Sequence, residues 1–265
     1  MSQESVSQPI AAIDAAAQTG NAVLPSTDPR PPITIQQRLI ALGEVLLCSG
    51  VITQTSIGNV LQLAGWPAED APGHLSLPFV LTMSLADTLV LLTIMVALTR
   101  AHGESPTELW IGRRGIKREA GLGILLIPVV FLGVVVLLNL MRILAPWLHN
   151  VPTNPLESLA GTTIIDAAMF ALVAIVAGGV REELQRAFLL RRFEQYLGGP
   201  SVGVIVLSIA FGLAHYVQGW DAAITTGALG AFWAVVYLKR RSSVAPIVSH
   251  AGFNALEILR VTLTG

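Results

Sequence analysis

The chain has 265 residues, with Lys or Arg at 16 positions, Asp or Glu at 17, and a formal net charge of −1. Apolar residues make up 53% of it and charged residues 12%, about half the charged share of an ordinary soluble domain, and mean hydropathy is +0.66. The balance excludes a basic nucleic-acid-binding surface, and a single cysteine, Cys48, excludes an intrachain disulfide framework or a thiolate metal cluster.

Residues 1–34 are rich in Ser, Gln, Ala, Thr and Pro and end in STDPRPPITIQQ around the start of the first apolar block. They lack the apolar content for a core and predict a flexible tail, with no basic n-region and apolar stretch of a cleavable signal. Seven apolar blocks follow within 35–265, at about 38–62, 78–99, 120–144, from 159, 201–219, 222–238 and 244–263. Each is near the roughly 20 residues that a spanning helix needs. Helices satisfy their own backbone hydrogen bonds in lipid, so the sequence predicts an all-α, polytopic transmembrane bundle of about seven spans. The first block, interrupted by Glu44 and by TQTS, has the weakest pattern.

The loops predict orientation. Arg100, Arg113, Arg114, Lys117 and Arg118 lie between blocks two and three, Arg191 and Arg192 after block four, and Lys239, Arg240 and Arg241 between six and seven. The intervening loops at 63–77, 145–158 and 219–221 contain no Lys or Arg. By the positive-inside rule the basic loops are cytoplasmic and the N-terminus is inside, as for a protein of a bacterial inner membrane. Arg142 and Arg260 fall near the outer ends, where they can snorkel.

Ionisable residues within such spans are expensive and point to function. Here they are Glu44, Asp87, Asp166, Glu182, Glu183, Arg186, His215, His250 and Glu257. Asn254 lies four residues after His250 and Glu257 seven after it, one stripe of a helix, and Phe211 precedes His215 by one turn. If the fourth helix ended at Gly179, Glu182 would sit at the rim, too far from a deep His215. If it runs from about 166 to 190, Glu182 lies about 14 Å above Arg191, at the depth of both histidines. Charge is then inside the membrane domain and must line a polar cavity. Arg186 is four residues after Glu182 and three after Glu183 and can pair with either.

Bland readings exist for each residue. The acidic pair and Arg186 can be a solvated turn, a lone intramembrane His or Asn can be interhelical glue, Phe211 can be packing, and Asp87 and Glu44 can merely neutralise arginines. The joint occurrence of acid, His and His-x-x-x-Asn on three helices favours chemistry. A carboxylate and an imidazole can deprotonate water, and a second His with an Asn amide can stabilise an oxyanion. Two His and one Glu (Glu182, His215, His250) also match a catalytic Zn2+ ligand set. His-Glu-x-x-His is missing at all five histidines.

At these residues the chain resembles the CPBP, or Abi, family of intramembrane CAAX prenyl endopeptidases and bacteriocin-processing or immunity relatives. Members carry Glu-Glu-x-x-x-Arg, Phe-x-x-x-His and His-x-x-x-Asn on separate transmembrane helices. FGLAH, Phe211 to His215, and HAGFN, His250 to Asn254, match in full. REELQR departs, because Arg186 follows the second glutamate by three residues instead of four. Either one residue is lost, or Arg181 takes the first glutamate position and Glu182 the second. The resemblance covers about 160–260. It implies an endopeptidase in which a glutamate (Glu182 or Glu183) and His215 activate water, while His250 and Asn254 stabilise the oxyanion and Arg186 and Phe211 support them. It leaves zinc and metal-free glutamate chemistry both open. The implied partners are a lipid bilayer and a protein or peptide substrate, lipidated or plain. Two other readings compete: a non-catalytic immunity factor or scaffold of the same fold, and a proton-coupled transporter, against which the lack of an internal repeat counts.

Overall fold

The computed structural model describes residues 32–152, 154–160 and 163–264. The tail expected at 1–34 lies outside them except for its last three residues. All seven apolar blocks fold as helices, the first as two. These are α1 (Ile35–Leu47) and α2 (Val51–Leu63), then a small antiparallel hairpin of β1 (Glu69–Ala71) and β2 (His74–Leu75). Next come α3 (Leu77–Ala101), the short α4 (Pro106–Trp110) and α5 (Ile116–Leu144). Block four is one continuous helical rod: α6 (Ile164–Val173), a π-helical segment (Ala174–Arg181) and α7 (Glu182–Tyr196). The chain closes with α8 (Pro200–Ala214), α9 (Trp220–Arg240) and α10 (Val244–Thr264).

Among the described residues, five segments are long and apolar enough to cross a membrane: Ile35–Leu63, Leu77–Ala101, Ile116–Leu144, Ile164–Tyr196 and Trp220–Arg240. Helix α8, expected over 201–219, stops at Ala214 and is too short by that measure. His215 therefore stands just beyond its end instead of within it. Helix α10 has the length of a span, but His250, Asn254, Glu257 and Arg260 make it more polar than the other five. Surface and interior are inverted relative to a soluble protein. Leu89, Leu125, Leu132, Ile143, Ile164 and Ile205 are exposed, whereas Asp87, Glu119, Glu183 and Arg192 are buried. Apolar faces outside and paired charges inside are what a hydrocarbon solvent selects, and the chain is an integral membrane protein of helical-bundle type.

Small residues let the helices approach without a hydrophobic driving force between them. A Cβ on Gly212 of α8 would lie 2.5 Å from the Ala223 carbonyl of α9, and one on Gly179 would lie 2.7 Å from Ala251 Cα of α10. The break between α1 and α2 centres on Gly50, whose φ of +89° is readily open only to glycine.

Ion pairs gather the basic loops at one end of the bundle. Arg192 of α7, wholly buried, meets Glu44 of α1 (2.8 Å) and Glu104 of the α3–α4 connection (3.0 Å). Glu44 also meets His102 Nε2 at 2.6 Å. Glu104 further accepts from Arg191 and Gln195. Arg241 binds Glu194, and Arg240 binds Glu119 at the start of α5. Glu44 thus does neutralise an arginine, as one reading of the sequence has it. At the opposite end, His149 pairs with Asp221 (2.8 Å) and the Asn150 side chain accepts from Trp220 N (3.0 Å), tying the α5–α6 connection to the start of α9. Basic and non-basic loops are segregated, as the alternation of charge in the sequence requires.

The rim network makes two predictions. Arg192→Met removes the buried cation that Glu44 and Glu104 share and should cost about 3–5 kcal/mol, whereas Arg191→Ala, on a half-exposed side chain, should cost about 0–1 kcal/mol; unfolding of both variants in detergent measures the difference. Burial would raise the Glu104 pKa, but hydrogen bonding by Arg191 and the charges of Arg192 and Arg191 outweigh it and hold the pKa below its usual value. A depressed carboxylate adds stability above its unfolded pKa and loses it as pH falls through the folded one. The melting temperature should therefore drop as pH is lowered below the ordinary carboxylate range, and drop less steeply in Glu104→Gln.

Candidate active site

The π-helical segment sets the site. Its wider turn leaves carbonyls without the usual helical partner, and the Ala174 carbonyl accepts from Asn254 Nδ2 of α10 at 3.0 Å. Gly178 and Gly179 face α10 here; a Cβ on Gly178 would lie 2.6 Å from Asn254 Nδ2. Beyond the segment the rod enters α7 with Glu182 and Glu183 side by side but pointing to different surroundings.

Glu183 is 1% exposed. One of its oxygens pairs with Arg186 Nη1 and accepts from His250 Nδ1 at 2.8 Å. Arg186, which the sequence allows to pair with either glutamate, thus takes Glu183. Its guanidinium lies 4.7 Å from the centre of the Phe211 ring and 5.8 Å from that of Trp233. The His250 imidazole stacks on Trp233 at 3.9 Å and 14°, and Trp233 donates from Nε1 to Ser249 Oγ at 3.3 Å. The Glu183 carboxylate, the stacked Trp233 ring and the Phe211 ring, edge-on at 6.3 Å, fix the orientation of His250 from three sides.

Glu182 occupies a different place. A cavity of about 980 Å³ is lined by Glu182, Arg186, Phe211, His215, His250 and Asn254, while Glu183 is not on its wall. His215 donates from Nδ1 to the Phe211 carbonyl at 2.8 Å, and the two rings meet edge-on at 4.7 Å. That tautomer leaves Nε2 as the free lone-pair nitrogen. Phe211 thus supports both His215 and Arg186. The structure brings Glu182, His215, His250 and Asn254 to one cavity, puts Glu183 and Arg186 against His250, and lines the same cavity with Glu257. Asp87 lies outside this set, paired with Arg181 at 3.3 Å. Asp166 caps the start of α6 with Thr163.

Trp233 and Arg181 are contacts that sequence reasoning did not assign. Nothing in the spacing marks Trp233, whereas Arg181 had a signal in its place beside the departed acidic motif. Among the described residues no three His, Cys, Asp or Glu side chains are gathered to hold a metal ion. The Nδ1 atoms of both histidines donate to protein acceptors and leave each Nε2 free, and one oxygen of Glu182 accepts from Arg181.

Comparison with known proteins places part of the chain in a family. A family model described as "Type II CAAX prenyl endopeptidase Rce1-like" matches residues 164–256, a little over a third of the chain, from the start of α6 into α10. That stretch holds every residue of the three motifs and agrees with the CPBP resemblance. Helices α1 to α5 lie outside it. No curated protein and no solved structure matches the chain.

The two glycines make a contrasting pair. Gly179→Ala forces its Cβ against Ala251 backbone and should cost about 1–3 kcal/mol in thermal unfolding. Gly178→Ala meets only the end of the Asn254 side chain, which can rotate off the Ala174 carbonyl, and should cost less.

Proposed function

We propose that the protein is an intramembrane endopeptidase with Glu182 as the base that activates water. The observation that carries this reading is the division between the two glutamates. Glu182 shares the cavity wall with His215, His250 and Asn254, while Glu183 is sealed behind His250 by Arg186. The Rce1-like match over the same helices supports a peptidase.

A water held between Glu182 and His215 Nε2 gives a proton to the Glu182 carboxylate as its oxygen adds to the scissile carbonyl. The carbonyl oxygen becomes an oxyanion, met by the second N–H of the Asn254 amide and by His250 Nε2. In the doubly protonated His250 ring, Nδ1 donates to Glu183 while Nε2 donates to the oxyanion. The tetrahedral intermediate collapses with cleavage of the C–N bond, and Glu182 returns its proton to the leaving amine. No step requires a metal. The cavity is large enough for a peptide segment and combines charged side chains with apolar walls (Val80, Phe131, Leu138, Phe170). Those walls support a substrate drawn from the bilayer, a peptide near a lipidated C-terminus being the form that fits best. The loop charges support a cytoplasmic basic end, with the bacterial inner membrane as the setting.

Purified protein in detergent, given a fluorogenic farnesylated CAAX peptide, tests the reading. Glu182→Gln, His215→Ala and His250→Ala should each lose at least about 10²-fold in cleavage rate. Glu182→Gln should keep wild-type thermal stability, whereas Glu183→Gln strands Arg186 and should lose about 3–5 kcal/mol. Cleavage should survive a chelator. Activity retained in Glu182→Gln rejects the base assignment, and loss of activity with the chelator rejects the metal-free chemistry. No cleavage by the wild-type protein would favour the immunity-factor or scaffold reading.

A further inference from the structure

Arg181 has no part in the steps above, yet it touches the residue that starts them. It is the last residue of the π-helical segment, 7% exposed, and lies on the cavity wall. Its Nη2 donates to Glu182 Oε1 at 3.3 Å, its Nη1 lies 3.3 Å from Asp87 Oδ2 and 3.3 Å from Gln185 Oε1, and its Nε donates to the Ala177 carbonyl at 3.3 Å. Asp87 is wholly buried in α3 and is held from α2 by Thr53 Oγ1 and by Gln54 Nε2, the latter at 3.1 Å. Gln185 donates to the Cys48 carbonyl at 2.6 Å. A Cβ on Gly50 would lie 3.4 Å from Arg181 Nη1, so the break between α1 and α2 sits directly over the guanidinium.

We propose that Arg181 is the positioning residue for Glu182 and that Asp87 fixes Arg181 in that role. The inference rests on the reading of Glu182 as the base. An arginine side chain alone has about 2 kcal/mol of rotamer entropy to lose and cannot hold a neighbour in one geometry. Here four acceptors on two helices pin the guanidinium, and its position is set by an acid that neither faces the cavity nor touches the reacting groups. Arg181 is not a spare anion site, because Asp87 and Glu182 together outnumber its single charge. Nor is it only a counterion for Asp87, since that duty needs neither a place on the cavity wall nor contact with Glu182. The arrangement ties the site to α2 and α3, which lie outside the segment that matches the peptidase family. A misplacement of the base by about 1 Å costs rate with little effect on substrate binding.

The experiment is a kinetic double-mutant cycle with the farnesylated peptide, on variants monodisperse in detergent and with Glu182→Gln as control. Arg181→Gln should lower kcat at least about tenfold and leave KM nearly unchanged. Arg181→Lys, which keeps a charge but not the fork, should recover part of the loss. Asp87→Asn should lower kcat as well, and should add nothing to Arg181→Gln, because both remove the same constraint. Where Arg181→Gln is not monodisperse, Asp87→Asn carries the test alone, by a fall in kcat at unchanged KM. If Glu182→Gln is inactive while Arg181→Gln and Asp87→Asn keep wild-type kcat, the positioning role is wrong and the base assignment stands. If the losses from Asp87→Asn and Arg181→Gln multiply, the two act separately and the clamp is wrong. If Glu182→Gln cleaves normally, both assignments fall together.

Discussion

An ionised carboxylate among membrane helices costs several kcal/mol unless a cation and hydrogen-bond donors meet it, and Glu183 is met by Arg186 on its own helix and by His250 on α10. Most of the site follows from this compensation. Satisfying Glu183 fixes the Arg186 guanidinium, which lies over Phe211 and near Trp233; Trp233 in turn stacks on His250. The His250 ring is thereby held in one orientation, and one turn further along α10 Asn254 reaches the π-helical segment. The glutamate that closes this cluster is therefore structural in its energetics, and its neighbour Glu182 is left to face the cavity.

The same rule operates at two other depths. At the basic end, Arg192 holds Glu44 and Glu104, joining α7 to α1 and to the α3–α4 connection. In between, Arg181 holds Asp87 and Glu182. All three arginines belong to the rod that runs from Ile164 to Tyr196, so a single helical segment supplies the cation for acids on α1, α3 and its own turns. Such pairs add little net stability over an apolar packing of equal volume, but breaking one by removing a single partner is costly. Their value lies in fixing which helix meets which, something that apolar contact in lipid does weakly.

Much of this was legible in the chain. Hydropathy located the helices, and the depth argument that extended block four past Gly179 anticipated the continuous rod. The i, i+4 spacing put Phe211 against His215, and the stripe of His250, Asn254 and Glu257 reached the cavity wall together. The choice between Glu182 and Glu183 was not legible. A π-helical turn from Ala174 to Arg181 shifts the phase of every residue after it, and a reading with a period of 3.6 residues cannot say which of two adjacent glutamates turns inward. The end of α8 before His215 was hidden by an apolar run that continues to Val217. Trp233 and the Asp87–Arg181 pair depend on which helices are neighbours, and periodicity gives the face of a helix without naming what it packs against.

The central claim is that Glu182 meets the water of the cavity and Glu183 does not, and it can be measured without knowing the substrate. Cys48 is the one native cysteine, so Glu182→Cys and Glu183→Cys can each be made in a Cys48→Ser background. Each is then exposed, in detergent, to a small water-soluble thiol reagent. Labelling should be rapid in Glu182→Cys, and Glu183→Cys should be protected until the protein is denatured. Protection in Glu182→Cys with rapid labelling in Glu183→Cys would contradict it and would assign the base to the other glutamate.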